Sequence, residues 1–95
     1  MAYKIRWSAA AQEDIRLILG YLLDEWGEKT ADRFSDYLLE VAHLLEEHPF
    51  VGRRHEVIKA VREFRVKPHY VLFYTVMEQQ EELLVLNLID ARRRR

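Results

Sequence analysis

The segment Tyr70-Val71-Leu72-Phe73-Tyr74-Thr75-Val76-Met77 constrains this chain more than any other, because both of its alternating residue sets are apolar. A strand that is apolar on both faces needs cover on both, which places it in the middle of a sheet. Its neighbours in sequence supply two flanking strands. Val61 to Val66 precedes it across the turn Lys67-Pro68-His69, and Leu83 to Ile89 follows the polar turn Glu78-Gln79-Gln80-Glu81. Turns this short join antiparallel partners.

Upstream, Tyr3, Ile5 and Trp7 alternate with Lys4 and Arg6, the period of a half-buried strand. Ser8 offers a hydroxyl as helix N-cap, and Glu13 and Asp14 sit early enough to favour the positive end of the helix dipole. Ile15, Ile18, Leu19, Leu22, Leu23 and Trp26 then follow helical spacing, which predicts a helix to about Trp26 with that stripe turned inward. Gly27 is its stop. A second helix is expected from Lys29 or Thr30, with Thr30 as cap and Ala31, Phe34, Leu38, Val41 and Leu45 as the packing seam. His48-Pro49 ends it, since proline has no amide proton to donate. Pro49 to Lys59 reads as a loop and as the most mobile internal segment. The expectation is one α+β domain over residues 1–95: an N-terminal strand, an antiparallel helical hairpin, then three antiparallel strands in one sheet.

Charge divides along the chain. Ser8 to Phe50 holds ten acids against three bases, a local charge of −7, whereas Val51 to Arg95 holds ten bases against six acids, a local charge of +4. The overall charge of −1 conceals this division, so partners are better judged from the parts. There is no cysteine, hence no disulfide framework and no thiolate metal site, and a reducing, cytoplasmic setting is expected. The alternating N-terminus lacks the continuous apolar run expected of a signal peptide, and no apolar run nears the ~18 residues of a membrane span.

Motifs of catalysis are sparse. Gly20, Gly27 and Gly52 form no phosphate-cradling loop, and Ser8 and Ser35 fall at a cap and on a helix. His43, His48, His55 and His69 lack the spacing of metal ligands, so neither a metal nor a cofactor is expected. The basic residues carry more. Period two sets Arg62 with Phe64 and Val66 on one face and Glu63, Arg65 and Lys67 on the other. With Phe64 and Val66 inward, Arg65 and Lys67 project outward. His69, Arg92 and Arg93 would then join them in a patch suited to phosphate or to acidic side chains, the alternative being a solvated edge. Phe73 and Tyr74 are both expected in the core.

The ordered set of Ser8-Ala9-Ala10-Ala11-Gln12-Glu13-Asp14-Ile15, Ile18, Tyr21, Gly27, Ala31, Phe34, Leu44, Pro49, Gly52, Val61-Arg62-Glu63-Phe64-Arg65-Val66 and Tyr70-Val71-Leu72-Phe73-Tyr74 resembles the RelE/ParE superfamily of bacterial type II toxins. The resemblance covers nearly the whole chain. It implies a toxin paired with a cognate antitoxin in a hetero-oligomer. RelE-like members cut messenger RNA on the ribosome, and ParE-like members inhibit DNA gyrase. RNA-cutting relatives generally carry arginine directly after the tyrosine that opens the long strand, where this chain has Val71, which points to the ParE-like branch. On the nuclease alternative Glu56 would be the base, with Arg65 at an active-site position and Arg92 or Arg93 holding phosphate. On the ParE-like reading Arg65, Lys67, His69, Arg92 and Arg93 are partner contacts. A relative that binds the antitoxin without toxicity is the third reading.

Overall fold

The computed structural model describes residues 2–93, apart from the Arg93 side chain. Its elements are β1 (Lys4–Trp7), α1 (Ala9–Trp26), α2 (Glu28–Glu47), β2 (Arg53–Arg54), β3 (Val61–Val66), β4 (Tyr70–Met77) and β5 (Glu82–Asp90), with 3₁₀ turns at Glu78–Gln80 and Ala91–Arg93. The sequence predicts all of them but β2 and the two 3₁₀ turns. Among the described residues the sheet has five strands in the order β1-β5-β4-β3-β2, which puts β4 at its centre as its two apolar faces require. β1 runs parallel to β5, Lys4 opposite Glu82 and Trp7 opposite Val85, and the other pairs are antiparallel. No helix is long and apolar enough to cross a membrane, among the described residues.

Ser8 starts α1 as expected, its Oγ accepting from the Ala11 amide at 3.0 Å, and it also donates to the Leu86 carbonyl of β5 at 2.9 Å. One hydroxyl thus caps the helix and ties it to the sheet. Asp14 does not serve the helix dipole. Its carboxylate reaches β5 instead and accepts the Leu88 amide at 2.9 Å. That amide needs a partner because β1 ends opposite Val85 and leaves the rest of the β5 edge without a neighbouring strand. At Gly27 the backbone takes φ 95° and ψ 175°, a conformation all but reserved for glycine, and the chain reverses directly into α2. Gly27 is therefore the shared cap of both helices, and Thr30 lies within the first turn of α2 instead of capping it.

The hairpin covers one sheet face. From α2, Ala31, Phe34, Leu38, Val41 and Leu45 are all buried, as their spacing predicts, against Val66, Leu72, Tyr74, Leu83, Val85 and Leu88. Each large side chain so placed contributes roughly 1.5–3 kcal/mol relative to exposure. Along β5 the inward phase changes from Leu83 and Val85 to Leu88. The cause is a register shift opposite Phe73 and Tyr74, where Leu86 is the extra residue. The α1 stripe is only partly inward. Leu22 is buried and Ile15, Ile18 and Leu19 pack on the core, but Leu23 and Trp26 are exposed. Tyr74 is in the core as expected, whereas Phe73, its neighbour on the pleat, lies half-buried on the opposite face.

The segment from Pro49 to Lys59, expected to be a mobile loop, is tied to the sheet through its first half. Tyr74 Oη donates to the Pro49 carbonyl at 2.8 Å and accepts the Gly52 amide at 2.9 Å. Arg62 Nη1 donates to the Phe50 and Gly52 carbonyls, and Thr75 Oγ1 to that of Ala60. Within it β2 forms by pairing Arg53 with Glu63 and Arg54 with Arg62. Gly52 is required for that approach, since a Cβ there would lie 2.5 Å from Tyr74 Oη and 2.8 Å from the Glu63 carbonyl. At the far edge, Glu46 of α2 accepts the Tyr3 amide through its carbonyl at 2.8 Å and the Ile5 amide through its carboxylate at 3.3 Å.

Candidate functional site

Where α1 ends, α2 begins and the β3–β4 turn comes up beneath them, the fold leaves a groove of ≈ 620 Å³. Its apolar walls are Tyr21, Trp26, Phe34, Tyr37 and Tyr70. The glycine reversal ends α1 at Trp26, so that indole is 67% exposed at the lip instead of packing in the core. Phe34 meets Tyr70 edge to face with ring centroids 5.2 Å apart, which closes the floor. Arg33, Lys67 and Arg92 border the same groove with His69. A second hollow of ≈ 300 Å³ shares Tyr21 and Tyr70 with it and continues between α1 and β5 past Leu17 and Leu88.

The C-terminal side of the groove is fixed by a small polar cluster. The Ala91 amide donates to the His69 carbonyl at 2.7 Å, joining the end of β5 to the β3–β4 turn. Asp90 accepts from the Arg92 amide at 2.9 Å, from Arg92 Nε at 3.3 Å and from Arg92 Nη2 at 3.1 Å. That pairing holds the Asp90 carboxyl below the usual aspartate range and the Arg92 guanidinium above its own. His69 packs on Tyr70 with ring centroids 4.6 Å apart and planes tilted by 36°, and its Nε2 lies 3.8 Å from the Asp90 carboxylate, buried and beyond hydrogen-bond reach. Arg92 is still 60% exposed at its side chain, so it can meet a second anion while Asp90 orients it.

Of the residues singled out from sequence, Lys67, His69 and Arg92 converge on this groove. Arg65 does not join them: it sits opposite Val71 on the other face of the sheet, exposed, and Val71 beside it is buried. Glu56 lies in the β2–β3 connection, exposed, at the end of β3 away from the Lys67 turn. From Val61 to Arg65 alone the strand rises ~13 Å, so Glu56 and Arg92 occupy opposite ends of the sheet. The Arg93 backbone is in the last 3₁₀ turn, and its side chain lies outside the described residues. Sequence reasoning missed Arg33 and read Trp26 as core. The available signal was that Arg33 is one of few bases on an acidic helix, directly before the inward Phe34.

A groove with aromatic walls and three cations on its rim suits an amphipathic acidic chain: apolar side chains inside, carboxylates outside. Among the described residues no group of three or more His, Cys, Asp or Glu could hold a metal ion.

The architecture is that of solved bacterial toxins. A chain of the chromosomal ParDE toxin–antitoxin system of P. aeruginosa superposes with a TM-score of 0.78 at 18% identity, covering 94% of this chain and 96% of that one. The RelBE2 toxin–antitoxin complex of Mycobacterium tuberculosis gives 0.69 at 17% identity over 95% and 99%. A mutant of the E. coli toxin RelE in the free state gives 0.67 at 16% over 96% and 85%. No curated protein matches the sequence. The family model for the ParE toxin of the type II toxin–antitoxin system parDE matches residues 5–95, and the chain belongs to that family. The RelE/ParE fold expected from the sequence is the fold observed.

Proposed function

We propose that this protein acts in the cytoplasm by binding DNA gyrase, performs no bond chemistry of its own, and is held inactive by an antitoxin seated in the groove. The observation that carries the choice between gyrase binding and RNA cleavage is the placement of the nuclease candidates. Glu56 is at one end of the sheet, Arg92 at the other, and Arg65 faces away from both the groove and the helices. General acid–base catalysis needs its groups within hydrogen-bond reach of one reacting centre, directly or through a water. The buried Val71, at the position where RNA-cutting relatives carry arginine, supports the same reading: an aliphatic side chain stabilises no phosphate charge.

The antitoxin reading is supported by the groove and by the solved relatives, which include toxin–antitoxin complexes. Its segment places apolar residues against Trp26, Phe34 and Tyr37 and acids against Arg33, Lys67 and Arg92. Purified protein is expected to inhibit supercoiling by gyrase and to leave ribosome-bound message intact. Message cleavage with unimpaired supercoiling would reverse the assignment. Growth arrest on induction, relieved by co-expression of the antitoxin, separates a toxin from a relative that only binds.

A further inference from the structure

A second surface, remote from the groove, is built by the turn that follows β2. His55 Nδ1 accepts the amides of Val57 at 3.1 Å and Ile58 at 3.0 Å. An imidazole nitrogen that accepts is the unprotonated one, so this geometry fixes the tautomer. The Ile58 carbonyl accepts from the Val61 amide at 2.9 Å, and the His55 amide donates to the Val61 carbonyl at 2.8 Å. The His55 ring lies 6.2 Å from that of Phe73 on the sheet face opposite the helices.

The result is a braced turn that holds two aliphatic side chains in water, Val57 80% exposed and Ile58 56% exposed. Folding gains nothing from this. Apolar area is stabilising when covered, and apolar residues exposed together within a polar rim mark contact surfaces. The residues flanking the pair are exposed and on balance cationic, Arg53, Arg54 and Lys59 against Glu56, with Arg53 facing Glu63 at 3.7 Å. An apolar centre inside a charged margin is the anatomy of a protein–protein contact. A nucleic-acid duplex would engage the margin but leave the aliphatic pair against phosphates.

We propose that Val57 and Ile58, presented by His55, anchor this protein in an apolar socket on an acidic protein surface, and that the toxin meets its target through this turn while the antitoxin occupies the groove. The proposal rests on the reading of the chain as a toxin with a protein target. It makes His55 a positioning residue.

The test compares wild type with V57D/I58D, both exposed positions whose replacement leaves the core intact. Three measurements are made: growth arrest on induction, inhibition of purified gyrase, and affinity for the antitoxin. Expected is a loss of roughly 30-fold or more in gyrase inhibition, relief of growth arrest, and unchanged antitoxin affinity, which also certifies the fold. His55→Ala should weaken inhibition in the same direction. His55→Asn should restore it, because an asparagine oxygen accepts the amide two residues on.

A V57D/I58D protein as toxic as wild type overturns the proposal, and does so without touching the gyrase assignment if both proteins inhibit supercoiling. Antitoxin affinity that falls in step with toxicity also overturns it. If wild type leaves gyrase unaffected but V57D/I58D still relieves growth arrest, the surface stands and gyrase is removed as its target.

Discussion

Replacing Tyr74 by phenylalanine removes one oxygen from the centre of the molecule and tests how the 49–60 segment is held. The ring stays, so core packing is preserved. Lost are the bond accepted from the Gly52 amide and the bond donated to the Pro49 carbonyl, at 2.9 and 2.8 Å. Gly52 is buried, so its amide is left without a partner, at a cost of about 1–3 kcal/mol. Pro49 is only partly covered and its carbonyl reaches water, which adds little more than ~0.5 kcal/mol. The expected loss is about 1.5–3.5 kcal/mol, read in urea unfolding as a lower midpoint with an unchanged slope. For a domain of this size it corresponds to roughly 6–28 °C in Tm.

The substitution also changes the alkaline limb of the stability curve. Burial pushes the Tyr74 phenol above its ordinary value, so its contribution is complete below the unfolded value of about 10 and is lost as pH rises through the raised folded value. Tyr74→Phe should therefore remove part of the alkaline loss seen in wild type. A cost under ~0.5 kcal/mol, or an identical alkaline limb in both proteins, would refute the account of Tyr74 as the tie between sheet and loop.

Asp14→Ala should cost about 1–2 kcal/mol in urea unfolding by orphaning the Leu88 amide, and Asp14→Asn, which keeps an acceptor, should recover most of it. Gly27→Ala forces a Cβ into φ 95° and should cost about 1–3 kcal/mol, read as a drop in Tm. Asp90 has its pKa lowered chiefly by Arg92, so its stabilisation is present above the unfolded aspartate value and lost as pH falls through the folded one. With Arg92 largely solvated, Asp90→Asn should flatten the acid limb by no more than about 0.5–1 kcal/mol. Lys67→Glu should weaken antitoxin binding and Arg65→Glu should not, measured by calorimetry at low salt; equal effects would count against the groove.

What the sequence made legible was whatever burial alone dictates. The α2 stripe and the double-sided β4 were readable because a helix or strand with one apolar period has one way to bury it. Ser8 and Gly27 were readable from local chemistry. β2 was not, since Arg53 and Arg54 have no apolar period and become a strand only because β3 offers them free backbone groups. The phase change in β5 needs one extra residue that alternation cannot announce. The groove was half legible. Lys67, His69 and Arg92 are close to one another because β3, β4 and β5 are consecutive, whereas Arg33 reaches them from a distant, acidic stretch. Arg65 was grouped with Lys67 by spacing alone, yet the pleat keeps Arg65 on the far face while the turn carries Lys67 round to the groove.

The borders of the sheet also bear on how this chain survives at high local concentration. Glu46 occupies the outer amides of β1, Asp14 takes the one beyond its end, and at the opposite border two arginines make a ribbon too short and too charged to recruit another copy. Neither border therefore presents the long run of unsatisfied backbone groups on which a second copy could add a strand.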